Sequence, residues 1–159
     1  LSSICAVSHV ELFSNTSSSK AGIHVVAKAG KVIKQEEIGC PKGTTIIVKN
    51  LFYNTPARAK FLKKDSTEAA HVSGIVEKFI LGHPEISFRY INNGREVFFT
   101  PGDKNLTNCV YSLYGKDYAK AMLPVDYDKE GIRIKGLIGK AEIARPNRTM
   151  QNFFINGRY

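Results

Sequence analysis

Apolar and polar positions along the chain change period several times, and each change marks an element. From Thr45 to Leu51 the residues alternate and are rich in β-branched side chains, as in a buried strand. Tyr53-Asn54-Thr55-Pro56 reads as a turn, and Ala57 onward carries helix formers with a basic face. Upstream, Leu1 to Ser8 reads as the tail of a helix and His9 to Phe13 as a strand, followed by a polar loop from Asn15 to Lys20. Gly22 to Lys28 and Lys31 to Ile38 form a predicted hairpin about Ala29-Gly30, and Cys40-Pro41-Lys42 hands over to Gly43. Lys28, Lys31 and Lys34 fit a solvated strand edge that resists aggregation.

Asp65 to Gly82 has helical spacing: Val72, Ile75, Val76, Phe79 and Ile80 recur at i, i+3, i+4, i+7 and i+8, which predicts a core-facing stripe. Asp65 and Glu68 have the spacing of a capping box, while Gly82 and Pro84 stop the helix. Ile86 to Ile91 and Glu96 to Thr100 form a predicted hairpin about Asn92-Asn93-Gly94. Pro101-Gly102-Asp103 is a candidate domain boundary, beyond which Leu106, Cys109, Val110 and Leu113 stripe another helix closed by Gly115. Met122 to Tyr127 and Ile132 to Ile138 pair across Asp128 to Gly131, Lys140 to Arg148 is a basic loop, and Gln151 to Ile155 is a last predicted strand before the turn Asn156-Gly157-Arg158. This mixture of mostly antiparallel strands and helices predicts an α+β fold.

Composition adds a charge. The 159 residues are 43% hydrophobic, enough for one domain or two small ones, and carry a net charge of +9 that favours polyanionic partners. Cys5, Cys40 and Cys109 are odd in number and far apart, so neither a disulfide framework nor a zinc site is indicated, and a reducing cytoplasm is expected. His71 and His83 have no carboxylate or cysteine at ligand spacing. No apolar run approaches the roughly 18 residues of a membrane span, and the start at Leu1 reads as that of a piece of something longer. Neither a nucleophile elbow, a zinc-protease helix, a P-loop nor a GxGxxG cradle occurs. Glu36-Glu37 and Asp126/Asp128 read as solvated charges rather than acid–base pairs.

The cations cluster. Arg58, Lys60, Lys63 and Lys64 surround a predicted helix start, Arg145 and Arg148 share one loop, and Arg158 follows a turn. Side chains so arranged suit phosphate contacts, which give salt-dependent, sequence-tolerant DNA binding. Tyr53, Phe153 and Phe154 could stack bases or fill core.

Two segments go further than physics. GTTIIVKNLFYNTPARAKFL, Gly43 to Leu62, closely resembles the signature segment of the MutL family of DNA mismatch-repair proteins, and NRTMQNFFINGRY, Asn147 to Tyr159, resembles that family's second recurring segment. LSSICAVSHVEL resembles the residues just after the family's glycine-rich GFRGEAL lid, of which only Leu1 is present. The resemblance spans the chain.

It implies that residues 1–101 are the C-terminal part of an ATPase domain of the gyrase, chaperone, histidine-kinase and MutL (GHKL) type, an α/β sandwich, and that residues 102–159 begin a transducer domain similar to a ribosomal-protein domain. It further implies that Gly43 and Thr44, with Thr45 beside them, close an adenine pocket, and that the parent protein uses ATP and Mg2+, dimerises, binds DNA, and works with mismatch-recognition and strand-nicking partners in the cytoplasm near the nucleoid. Arg58, Lys60, Arg145, Arg148 and Arg158 are the candidates for phosphate contact. The family's Glu base and Asn metal ligand, its DNGxG segment and its lid would precede Leu1, and its transducer lysine would come after Tyr159. The chain by itself is therefore expected to bind no cofactor, to hydrolyse no ATP, and to self-associate through uncovered apolar surface. The alternative is a basic nucleic-acid-binding module without a nucleotide switch; FYNTPARAKFL argues against a topoisomerase or chaperone.

Overall fold

β1 (His9–Asn15) is the strand on which the first part of the chain is assembled. In the computed structural model, which describes residues Leu1–Tyr159, contacts group the chain into two compact units, Leu1–Lys63 and Lys64–Tyr159. This division follows packing, and Pro101-Gly102-Asp103 lies inside the second unit.

In the first unit a short α1 (Ser2–Cys5) leads into β1, which is bonded on both sides in a four-stranded antiparallel sheet of order β3-β2-β1-β4. β2 (Gly22–Lys28) and β3 (Lys31–Ile38) have the bounds that the alternation predicts, and Ala29 (φ 47°) and Gly30 (φ 78°) make their turn. β4 spans Gly43–Lys49, two residues earlier than the predicted start, because its register carries Gly43 opposite Asn15. Cross-strand partners share a face. Val10, Leu12 and Ser14 therefore lie beside Val48, Ile46 and Thr44 on one side, and Glu11 and Phe13 beside Ile47 and Thr45 on the other.

After β4 the chain turns through Asn50 (φ 54°) and Phe52 (φ 65°), left-handed conformations that are costly for a phenylalanine. The corner is held from several directions. Phe52 donates its amide to Val7 O (2.7 Å), the Asn54 amide donates to Ala6 O (2.9 Å), and the Tyr53 ring meets His9 edge-on at 4.3 Å. Pro56 then enters α2 (Pro56–Ala59) at its first turn, where its missing N–H costs nothing. The basic helix predicted here is only this single turn, since Phe61 and Leu62 donate to the carbonyls of Arg58 and Ala59 three residues back and the helix closes.

The second unit opens with α3 (Asp65–Gly82). Its N-cap is Lys64, without a side-chain cap bond, so the Asp65–Glu68 capping box does not form: both acids sit inside the first turn, where they complement the helix dipole. Of the predicted core stripe only Ile80 is fully buried, and Val72, Ile75 and Phe79 are about half exposed. β5 (Ser87–Asn92) and β6 (Arg95–Pro101) pair through an Asn93-Gly94 turn with both residues at positive φ, the geometry that favours this dipeptide. Gly102 (φ 76°) follows, so close to the Ser87 and Ile86 backbone that a Cβ would collide, and Lys104 donates to Pro84 O; the segment is packed rather than loose.

Asn105 caps α4 (Leu106–Tyr114), its Oδ1 accepting from the amides of Thr107 (2.9 Å) and Asn108 (3.3 Å). Cys109 and Val110 are buried on this helix, and α5 (Lys116–Lys120) follows. β7 (Met122–Lys129) and β8 (Ile132–Gly139) form a two-stranded ribbon whose one face carries Leu123, Tyr127, Ile134 and Ile138, all exposed. The strand predicted over 151–155 is absent: only a single bridge joins Ile155 to Arg158, because no neighbouring strand offers a ladder. Phe154 instead packs on Gly82 of α3, and Tyr159 lies under the Lys78 ammonium at 4.0 Å. No helix is long and apolar enough to cross a membrane.

Candidate functional site

The start of β4 is built around Gly43, whose φ of 122° lies in a region that side chains disfavour, although nothing lies within 4 Å of where a Cβ would stand. Backbone conformation, not crowding, calls for glycine there. Thr44 comes next and meets Ser14 of β1, the two hydroxyl oxygens 2.9 Å apart. Phe13, Cys40, Pro41, Lys42 and Gly43 to Thr45 line a shallow cleft.

The approach to that cleft is fixed from β1. The Asn15 side-chain amide donates to Cys40 O (2.8 Å), which orients the amide and leaves its Oδ1 buried with no partner. Gly22 sits against the Cys40 sulfur and Ser14 O, where any side chain would collide. Behind Phe13 the His24 ring stacks nearly parallel (4.4 Å, 4°), and its Nδ1 faces Glu36 Oε1 at 2.9 Å. The hydrogen bond from Lys34, and then that from His24, hold the Glu36 carboxyl below its usual range. An open glycine and the threonines at positions 44 and 45 that line the cleft are groups that suit the polar edge of a nucleobase. A magnesium site is another matter: no group of three or more His, Cys, Asp or Glu that could hold a metal ion is formed, so no ligand for it is assigned in this chain.

The cationic candidates fall in both units. Arg58 lies in α2 and Lys60 is its C-cap in the first unit, next to Phe61, which is 84% exposed. In the second, Arg145 and Arg148 lie on the exposed loop after a 3₁₀ turn (Ala141–Ile143), and Arg158 borders a hollow with Phe153, Ile155, Asn156 and Tyr159. None of the five makes an ion pair, so each charge faces solvent. Of the three aromatics that might stack bases, Phe154 is packed, while Tyr53 and Phe153 are exposed. Sequence reasoning passed over Ser14 and Asn15, whose roles come from register and not from any local pattern.

This α+β arrangement is that of MutL ATPase domains. The ATPase domain of Aquifex aeolicus MutL, solved in complex with ADP, superposes with a TM-score of 0.79 over 98% of this chain and 60% of its own, at 28% identity. A second solved structure, the N-terminal domain of a DNA repair protein, shares the fold at TM-score 0.81 over 99% of this chain and 53% of its own, at 20% identity. The family described as "DNA mismatch repair protein, C-terminal domain" matches residues 110–159. DNA mismatch repair protein MutL from Agathobacter rectalis is 46% identical over the whole chain, and that from Symbiobacterium thermophilum 42% identical over 99% of it. The chain belongs to the MutL family of DNA mismatch-repair proteins. It spans about a quarter of the length of these relatives, 24% and 25% respectively.

Proposed function

We propose that this chain is a segment of an ATP-dependent mismatch-repair switch, in which the start of β4 closes a nucleotide pocket and the unpaired cations contact DNA phosphates. The observation that carries this is the match over 98% of the chain to an ATPase domain solved with ADP, together with an open Gly43 and adjacent hydroxyls on β4. In the longer protein Gly43, Thr44 and Thr45 serve the nucleotide, with Mg2+ held by residues elsewhere. Residues 1–101 belong to the ATPase domain and 102–159 to the transducer domain. The longer protein acts as a homodimer in the cytoplasm, at the nucleoid, and couples mismatch recognition to strand nicking by partner proteins. Arg58, Lys60, Arg145, Arg148 and Arg158 contribute sequence-tolerant DNA affinity.

The test compares the 159-residue chain with the full-length protein for ATP binding, ATP turnover and duplex DNA binding at two salt concentrations. Nucleotide binding and turnover are expected only from the full-length protein, and salt-sensitive DNA binding from both. A full-length protein that neither binds nor hydrolyses ATP overturns the reading.

A further inference from the structure

We infer that Ser14 is a positioning residue for nucleotide recognition, acting by fixing the hydroxyl of Thr44; the inference rests on the nucleotide role proposed for the start of β4. Ser14 sits on a strand bonded on both sides, opposite Ile23 of β2 and Thr44 of β4, so its backbone has no freedom to withdraw. Its Oγ lies 2.9 Å from Thr44 Oγ1. The two residues are 30 positions apart in the chain, and only the register brings them together.

A hydroxyl carries one hydrogen and two lone pairs. Either hydroxyl can donate across this pair; in the arrangement in which Ser14 donates, one lone pair of Thr44 is used and the Thr44 hydrogen is left free to donate to a ring nitrogen or to a bound water. Without Ser14 the Thr44 hydroxyl can rotate, and it must be ordered when the ligand arrives. Ser14 therefore does not touch the nucleotide; it sets the direction in which Thr44 bonds. No other side-chain hydrogen bond engages either hydroxyl.

The experiment measures ATP affinity of the full-length protein carrying Ser14→Ala, Ser14→Thr, Thr44→Val and the double variant Ser14→Ala with Thr44→Val, each checked for folding by its thermal transition. Thr44→Val keeps the branched shape and removes the hydroxyl. The expected results are about fivefold weaker ATP binding for Ser14→Ala, the size of one neutral hydrogen bond, near-normal binding for Ser14→Thr, and no further loss when Ser14→Ala is added to Thr44→Val. Such non-additivity is the mark of one residue working through another. Unchanged binding in Ser14→Ala, or losses that simply add, overturns the inference while leaving the nucleotide reading intact. Unchanged binding in Thr44→Val removes both, because then the hydroxyl being positioned has no ligand.

Discussion

Phe52 donates its backbone amide to the carbonyl of Val7 across 2.7 Å, although it sits at a φ of 65° that its side chain disfavours. A conformation of this kind persists only where the surroundings over-determine it. Here they do: the adjacent Asn54 amide bonds Ala6 O and the Tyr53 ring abuts His9, so the corner after β4 is tied to the entry of β1. Asn54→Ala is expected to lower stability by about 1 kcal/mol, read as a drop in urea midpoint at constant slope. A loss near zero would mean that the backbone bond alone holds the corner.

Gly43 and Gly39 form a natural control. Both have open space where a Cβ would go, but only Gly43 has positive φ, at 122°. Gly43→Ala is expected to cost about 1–2 kcal/mol, with Gly39→Ala neutral or slightly stabilising. Thermal unfolding of the two variants side by side decides it; equal effects would show that β4 re-forms around an alanine.

The Asp103 carboxyl is held below its usual range, first by the Asn108 side-chain amide and then by the backbone amide of Asn105, the α4 cap. A depressed carboxylate contributes stability that is present above its unfolded value of 3.8 and is lost as pH falls through the lower folded value. Acid unfolding of Asp103→Asn should therefore be less steep below pH 3.8 than that of the parent chain. Superimposable acid profiles would count against this carboxylate.

Burial, and then the Glu77 carboxylate, push the Tyr114 phenol up to about 12 from 10.0. The neutral phenol is the form the folded chain prefers, so this contribution is intact below pH 10.0 and is lost as pH rises through about 12. Spectroscopic titration should show a late tyrosine ionisation that disappears in Tyr114→Phe.

Since Arg58, Lys60, Arg145, Arg148 and Arg158 have no ion-pair partners, replacing any of them with alanine orphans no carboxylate and should change stability by at most roughly 0.5 kcal/mol. Each that contacts a phosphate should weaken DNA binding evenly across sequences and lower the salt slope by about 1. Retained affinity and slope in all five variants would move the DNA surface elsewhere.

Where periodicity was unbroken, sequence and structure agree residue by residue. β2, β3 and α3 have the predicted bounds because alternation, the Ala29-Gly30 turn and the Gly82 stop are all local signals. Failures came where a neighbour decides. Alanine and lysine after Pro56 have good helix propensity, yet α2 ends after one turn as its carbonyls are taken by Phe61 and Leu62. Gln151 to Ile155 has strand composition without a partner strand. Val72, Ile75 and Phe79 keep helical spacing but are half exposed, since periodicity tells which face is apolar and not what covers it. At the candidate site Gly43 and Thr44 were legible from the family signature. Ser14 was not, for a lone serine in an alternating strand acquires meaning only from what lies across the ladder.

The β7–β8 ribbon sets a time scale. It has two strands, no third to flank it, and an apolar face half open to water, whereas β1 is bonded along both edges. Opening the ribbon breaks one ladder and exposes little that was hidden, so its amide protons should exchange with solvent long before those of β1. Protection along the chain is thus graded, and any molecule that settles on Leu123, Tyr127, Ile134 and Ile138 will announce itself by slowing exchange in that ribbon.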